Sequence, residues 1–155
     1  MTERVPAPAD LAALTGRDLA SACETAVDQA AVDRFVAASG DRQWIHSDPV
    51  RAAAELPGGR TIVPGNLLLS LVPAFLQGAY AVERFERSVL AGYGRVRFRT
   101  PVPTGARLTA TARILSVTPR GRQVRVETLC RVGLAETGDT AFTAEVVDLY
   151  FGEGP

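Results

Sequence analysis

One long apolar segment, Gly65 to about Ala79, constrains the fold of this chain more than any other feature. Its side chains are apolar on nearly every face of a helix, and such a helix is normally buried on most of its sides. Pro73 cannot donate a helical hydrogen bond, so we expect the helix to bend there. A helix of this kind needs another apolar surface to pack against.

After Ser88 the apolar residues change from a helical period to a period of two, which predicts β-strands. An antiparallel sheet with one apolar face needs a cover, and the Gly65–Ala79 segment is apolar enough to provide it. The sequence therefore predicts an α+β domain in which an antiparallel sheet wraps around one central helix. The predicted strands lie within residues 95–99, 108–114, 123–132 and 140–151, with turns at 103–105, 119–121 and 137–139.

The length of 155 residues fits one domain and leaves little room for a second. We assign residues 19–155 to this domain. Residues 1–18 are rich in Pro, Ala and Asp, and we expect them to form a loose N-terminal arm. Residues 20–27 show a weak strand pattern.

Two helices are predicted before the central one. Asp28 is a good N-cap for a helix that runs to about Ala38 and ends at Gly40. Asp48, followed by a proline, is a good N-cap for a shorter helix that runs to about Leu56. The residues between these helices are expected to form a loop.

The charge of the chain is zero in total but unevenly distributed. All 17 basic residues are arginine, and 11 of them lie between Arg84 and Arg131, where only Glu86 and Glu127 are acidic. This window carries 11 − 2 = +9, which favours an anionic partner, although a solvated arginine-rich strand surface is an equal alternative. Nucleic-acid-binding motifs are missing, so we expect a phosphate-bearing small molecule or an acidic carrier protein.

The N-terminus and the cysteines indicate a cytoplasmic protein. The chain has no secretory signal pattern, and its most apolar stretch is too short and too interrupted by proline to cross a membrane. Cys23 and Cys130 match no metal-ligand spacing, so we expect no metal. We interpret both as buried thiols in a reducing compartment, with a disulfide as the alternative.

The only histidine, His46, lies in the predicted loop together with Asp41. These residues are close enough in sequence for their side chains to converge across a turn between two helices. A carboxylate beside an imidazole can orient the ring and support proton transfer near neutral pH. A purely structural histidine is the alternative.

Three segments carry a resemblance to a known family. The first is residues 38–52, with Ser39-Gly40-Asp41 followed by Ile45-His46 and Asp48; the others are residues 61–71 and residues 96–105. Together they resemble MaoC-like dehydratases and (R)-specific enoyl-CoA hydratases, in order, over roughly residues 20–151. The resemblance implies a hotdog fold, in which the sheet wraps around the central helix, and a homodimer.

The resemblance also implies a catalytic site. Residues matching Asp41 and His46 bind the water and carry the proton transfers of hydration across a double bond. The backbone N–H matching Gly65 holds the thioester oxygen, where a helix N-terminus favours developing negative charge. It implies no cofactor beyond the coenzyme A or phosphopantetheine that belongs to the substrate.

The sequence departs from the family beside Gly65. The family usually has histidine before this glycine and an apolar residue after it, whereas this chain has Pro64 and Asn66. Pro64 suits the start of a helix. Asn66 either caps exposed N–H groups or is a buried amide that meets a polar substrate, and we favour the second interpretation.

Other residues are candidates for substrate binding. Trp44 either packs the loop or stacks on substrate, and Ser70, one turn after Asn66, either faces the site or bonds its own helix. Arg60 and three strand arginines are candidates for binding the phosphates of coenzyme A or a carrier protein. The strand arginines are Arg95, Arg97 and Arg99.

The resemblance, together with the Asp41–His46 pair, implies a lyase, a hydratase or dehydratase of α,β-unsaturated or 3-hydroxy acyl thioesters. Two alternatives stay open at this point. One is a polyketide-type dehydratase or a cyclase that closes a ring by conjugate addition. The other is a non-catalytic acyl-binding subunit.

Overall fold

A computed structural model describes residues 1–152 of the chain. Four long antiparallel strands dominate it, preceded by five short helices. The strands are β1 (Glu3–Val5), β2 (Asp18–Ala20), β3 (Thr25–Ala26), β4 (Tyr80–Val82), β5 (Arg87–Phe98), β6 (Arg107–Arg120), β7 (Gln123–Leu134) and β8 (Thr140–Phe151). The helices are α1 (Gln29–Ser39), α2 (Trp44–Ser47), α3 (Pro49–Glu55), α4 (Gly65–Ser70) and α5 (Val72–Ala79), with a 3₁₀ helix at Pro8–Leu14.

The main sheet has the strand order β2-β6-β7-β8-β5, and β3 pairs with a second part of β6. All of these pairings are antiparallel. The period-two pattern therefore predicted the four long strands, and the α+β class is confirmed. Two bounds differ: β5 begins at Arg87 and not at Arg95, and β6 continues to Arg120, into the predicted turn at 119–121. Alternate side chains of β6, β7 and β8 are buried against the helices, which creates one continuous apolar core.

The central helix is divided into α4 and α5. The division falls at Leu71, two residues before Pro73, as expected for a proline that cannot continue the hydrogen-bond ladder. Leu68, Val72 and Phe75 are buried against the sheet. Ten of the fifteen residues from Gly65 to Ala79 are buried or partly buried, so the segment is covered on most sides as expected. One stripe is exposed, formed by Asn66, Ser70, Pro73, Ala74 and Gln77.

The N-terminal residues are not the loose arm that their composition suggests. β1 pairs in parallel with β4, and the 3₁₀ helix buries Leu11 and Leu14 in the core. These two leucines are three residues apart, so they lie on one face of the 3₁₀ helix. The arm prediction failed because this packing depends on surfaces far along the chain.

The weak strand pattern of residues 20–27 corresponds to two short strands, β2 and β3, with an interruption between them. In this interruption the chain is in contact with α5. The Ala22 N–H donates to the Gly78 carbonyl at 2.9 Å, and a Cβ on Gly78 would lie 2.4 Å from Ser21 Oγ. Glycine at this position lets the helix and the interrupted strand meet.

The helix caps around the loop are those that the sequence predicts. Asp28 accepts a hydrogen bond from the Ala31 N–H at 2.8 Å, and Gly40 ends α1 with a φ of 75°. Asp48 accepts from the Arg51 N–H at 2.9 Å and starts α3. Between them the expected loop contains one helical turn, α2.

Cys130 is buried, Cys23 is partly buried, and the two thiols do not form a disulfide. Burial raises the pKa of the Cys130 thiol to about 12, so it is an inert core residue. Among the helices of residues 1–152, none is long and apolar enough to cross a membrane. Cytoplasmic location stays a prediction.

Candidate active site

The His46 imidazole is buried in the turn α2, with 8% of the residue exposed. Its Nδ1 lies 2.5 Å from the carbonyl oxygen of Ile62. Because a carbonyl only accepts hydrogen bonds, Nδ1 must carry the proton. In the neutral ring, Nε2 therefore has a free lone pair, which is the form required of a base.

The Asp41 carboxylate lies on the Nε2 side of this ring. Asp41 Oδ2 is 3.8 Å from His46 Nε2, and Asp41 Oδ1 accepts from the Gln43 N–H at 3.1 Å. The separation is too long for a direct hydrogen bond but suits two groups that share one water. The structure thus brings together the two side chains that the sequence paired.

The turn that holds His46 is fixed from both sides. The Ile62 N–H donates to the Ile45 carbonyl at 2.9 Å, and Gln29 Nε2 donates to the His46 carbonyl at 2.8 Å. Gln29 is itself positioned by the buried Thr61, whose hydroxyl lies 2.5 Å from Gln29 Oε1. Sequence reasoning missed Gln29 and Thr61, because neither carries a motif of its own.

His46 opens onto a cavity of about 430 Å³. Most of its lining is apolar, including Ile62, Leu68 and Phe98. The polar lining consists of His46, Arg99 and Thr100, with the backbone of Gly65 at the start of α4. An apolar cavity with a few polar groups at one end suits an acyl chain whose reactive end is polar.

Gly65 lies directly beneath the ring of Phe98. A Cβ on Gly65 would lie 2.9 Å from Phe98 Cζ, so the ring can approach only because the residue is glycine. The N–H of Gly65 belongs to the first turn of α4, where N–H groups have no partner within the helix. Phe98 is 51% exposed and its ring packs 5.7 Å from that of Phe142.

Residues 10–133 match the family described as MaoC like domain. This chain belongs to the MaoC-like domain family. Among curated proteins it is similar to 3-hydroxyacyl-thioester dehydratase Z of Mycobacterium tuberculosis (strain ATCC 25618 / H37Rv), with 40% identity over 113 residues that cover 73% of this chain and 74% of that protein. It is also similar to Nodulation protein N of Rhizobium leguminosarum bv. viciae, with 36% identity over 121 residues, 77% and 75% of the two chains.

Among solved structures, the (R)-hydratase from A. caviae aligns with a TM-score of 0.64 and 27% identity, over 86% of this chain and 94% of that one. The hotdog fold that the resemblance implied is thereby confirmed for this MaoC-like chain.

Two of the predicted substrate-binding residues of this MaoC-like chain are engaged elsewhere. The Arg51 guanidinium stacks on the Trp44 ring, 3.9 Å from its centroid, so Trp44 packs α2 against α3. Arg60 Nη1 donates to the Thr104 carbonyl at 3.1 Å. Neither residue lines the His46 cavity.

Asn66 and Ser70 also lie outside that cavity. Both are exposed on the outer stripe of the central helix, so the interpretation of Asn66 as a buried amide is wrong. The Ser70 hydroxyl donates to the Leu67 carbonyl at 2.6 Å, within its own helix. Pro64 is the N-cap of α4, as expected for a helix-start residue.

Of the three strand arginines, Arg99 lines the cavity, at the end of β5. Arg97 is exposed and its Nη1 donates to the neighbouring Val96 carbonyl at 3.1 Å. Arg95 is exposed, and its backbone N–H donates to Glu145 at 3.1 Å. Only Arg99 is therefore adjacent to the candidate site.

Proposed function

We propose that this chain adds water to, or removes it from, an acyl thioester in the His46 cavity. The observation that carries the proposal is the geometry of His46, whose Nδ1–H is committed to the Ile62 carbonyl while Nε2 is directed to Asp41, 3.8 Å away. The class of reaction agrees with the relatives, which are named as a dehydratase and a hydratase. The prediction of a hydratase/dehydratase lyase is confirmed at that level.

The two side chains bind one water between them, and its hydroxyl and its proton are added to different carbons. In the hydration direction, the oxygen of this water bonds to carbon 3 of the enoyl group as a proton leaves it for the pair. The pair returns a proton to carbon 2, so that hydroxyl and hydrogen together account for one water. Dehydration is the reverse. The base step and the acid step are therefore shared by the Asp41–His46 pair.

The Gly65 N–H, at the start of α4, supports the same step. When oxygen adds to carbon 3, negative charge moves through carbon 2 to the thioester oxygen. A backbone N–H without a helical partner can donate a hydrogen bond to that oxygen and stabilise its charge without reorganisation. The Phe98 ring, packed on Gly65, covers the reacting atoms and reduces the access of bulk water.

The carrier end of the thioester is expected to leave the cavity beside Arg99, whose charge suits a phosphate of coenzyme A or of a phosphopantetheine arm. Arg95 and Arg97 lie on the exposed side of the same strand. An acyl carrier protein therefore stays a candidate partner, and no further cofactor is proposed.

We also propose a homodimer joined at β5. Within residues 1–152 this long strand pairs only with β8, which leaves its other edge without a partner. Val89, Leu90 and Phe98 are between 43% and 51% exposed on it. A long unprotected edge with exposed apolar side chains favours pairing with a second copy. Light scattering coupled to size exclusion tests this, and a mass of one chain at micromolar concentration contradicts it.

The test of function is the turnover of crotonyl-CoA, followed by the loss of the enoyl-thioester absorbance. The native chain is expected to hydrate it, and His46→Ala is expected to lose the activity while remaining folded at the assay temperature. Arg51→Ala is a matched control from the neighbouring helix, because Arg51 supports Trp44 and not the cavity. Binding of the thioester without turnover by the native chain contradicts the proposal.

A further inference from the structure

A second cavity, of about 220 Å³, lies at the other end of the central helix. It is bounded by α5 on one side and by β5 and β8 on the other. No residue of the His46 site contributes to it. Its lining includes Leu76, Gln77, Ser88, Leu90, Asp148 and Tyr150.

Asp148 is the unexpected member of this lining. It belongs to the row of β8 side chains that face the helices, in which Ala144, Val146 and Tyr150 are buried. A carboxylate in such a row is costly unless it is hydrogen-bonded or paired. Among residues 1–152, the Asp148 carboxylate has no hydrogen bond and no ion pair. Burial raises the pKa of this carboxyl to about 6, and no cation opposes the rise.

The groups around Asp148 can donate or accept hydrogen bonds but carry no charge. Burial raises the pKa of Tyr150 to about 12 and raises that of Tyr80 as well, so both phenols are neutral. The Tyr80 hydroxyl lies 3.2 Å from the Thr128 hydroxyl, in the core behind the cavity. Ser88 and Gln77 are exposed at its mouth. The cavity is therefore lined by both apolar and polar groups, and its one charged group, the partly exposed Asp148 carboxylate, has no protein partner among residues 1–152.

The two cavities lie on one side of the sheet, in the gap between the central helix and β5. Leu68 lines the first and Leu76 the second, and eight residues of helix span roughly 12 Å. Tyr93 stands between them, and its hydroxyl donates to the Leu69 carbonyl at 3.4 Å, which is long for such a bond. An acyl chain that reaches from the first cavity to the second therefore requires this ring to move.

We propose that the Asp148 cavity binds a hydroxyl group on the distal part of the acyl chain, so that the preferred substrate is an oxygenated medium-chain acyl thioester. This inference rests on the proposed function. The distance from Gly65 to the residues that line the cavity, Pro73 to Gln77, is roughly 12 to 18 Å of helix. An extended chain of about ten to fourteen carbons covers that distance. The polar contact with substrate that the sequence led us to expect from Asn66 is then made by Asp148.

A hydroxyl fits the cavity better than an ammonium group does. Much of the lining is apolar, including Pro73, Leu76 and Leu90, so the desolvation of an ammonium group would offset much of its attraction to Asp148. A hydroxyl can donate to Asp148 and accept from Tyr150 or Gln77, which satisfies it on both sides.

The test compares dodecenoyl-CoA with its ω-hydroxy counterpart in the native chain, in Asp148→Leu and in Asp148→Asn. The native chain is expected to have a kcat/KM about tenfold higher for the hydroxylated substrate, because a hydrogen bond to a charged acceptor is at stake. Asp148→Leu is expected to reverse the preference, and Asp148→Asn to reduce it. Glu145→Gln, a carboxylate of the same strand that faces away from the cavity, is expected to change nothing. Equal kcat/KM for the two substrates, a preference that survives in Asp148→Leu, or a stronger preference for an ω-amino chain overturns the proposal.

A second measurement separates this inference from the proposed function. Calorimetry gives the dissociation constants of dodecanoyl-CoA and ω-hydroxydodecanoyl-CoA, which need no turnover. If crotonyl-CoA is not hydrated but the hydroxylated ligand still binds about tenfold tighter, the proposed function fails and the Asp148 subsite stands. If crotonyl-CoA is hydrated and the two ligands bind equally, the subsite fails alone.

Discussion

The two cavities along the central helix differ in what their ionisable groups already contact. In the first, the proton on His46 Nδ1 is committed to a carbonyl, and Nε2 has a carboxylate partner across a short gap. In the second, Asp148 has no partner among residues 1–152, and burial raises its pKa to about 6. The first site is therefore organised before substrate arrives, whereas the second is completed by the ligand that we propose.

The largest expected effect is at the organised site. Asp41→Ala and His46→Ala should each lower kcat/KM for crotonyl-CoA by about a thousandfold, because each removes a proton-transfer group. Unfolding temperatures check that the fold is kept, and the Asp148→Asn variant is the control from the other cavity. Crotonyl-CoA is too short to reach that cavity, so a comparable loss in Asp148→Asn would contradict the division of roles.

The next effect concerns the contact between Gly65 and Phe98. Gly65→Ala should lower kcat/KM by about ten- to a hundredfold, because its Cβ displaces the ring that covers the site and crowds the backbone donor. Adding Phe98→Leu should recover part of the loss by making room. Gly92→Ala is the control, since a Cβ there meets nothing within 4 Å. Absence of any recovery in the double variant counts against this packing.

A smaller effect concerns pH and the free energy of unfolding. The pKa of Asp148 rises from 3.8 to about 6 through burial, so the folded chain binds more protons than the unfolded chain between these values. Stability should therefore fall as pH rises from about 4 to 6 and then level off. Asp148→Asn should remove this slope and be about 1 to 2 kcal/mol more stable than the native chain at neutral pH, after allowance for partial exposure.

Denaturant titrations at several pH values measure that difference. The neighbouring ionisable groups in the described chain are tyrosines, which stay neutral over this range. Asp18 has the opposite effect on the slope of stability against pH. Its hydrogen bond with Arg113 lowers its pKa, so its stabilisation is present above the unfolded pKa and is lost as the pH falls through the folded pKa. Parallel slopes for the native chain and Asp148→Asn contradict the unpaired carboxylate.

The smallest effect is expected outside both cavities. Asn66→Ala should change kcat/KM for crotonyl-CoA less than about threefold, because the Asn66 side chain is exposed and lines neither cavity. Steady-state kinetics measure it. A tenfold loss of kcat/KM with an unchanged melting temperature would show that Asn66 contributes to the active site.

Local signals explain how much of this architecture could be predicted from sequence. Asp28, Gly40 and Asp48 determine the helix ends around the loop, and these local signals place Asp41 and His46 in one short connection. The contacts of Ile62 and Gln29 that fix the His46 turn come from elsewhere in the chain and could not be predicted in this way. The period-two pattern likewise predicted the strands. Leu11 and Leu14 were missed because their partners lie on β6 and in the core, far along the chain.

The rest of the site depends on strand register. Phe98 reaches Gly65 because it pairs with Phe142 across β5 and β8, and Asp148 faces the helix because it lies in phase with Val146 and Tyr150. A shift of one residue would place either side chain on the opposite face of the sheet. Single-sequence patterns do not determine that register, so neither residue could be assigned to a cavity beforehand.

The most direct test of the account is a double-mutant cycle on Asp41 and His46 with crotonyl-CoA. Two groups that handle the same water act as a unit, so the double variant should lose about as much activity as either single variant. Losses that multiply would mean that the two side chains act on separate steps. Such a result would contradict the shared water on which the proposed reaction is built.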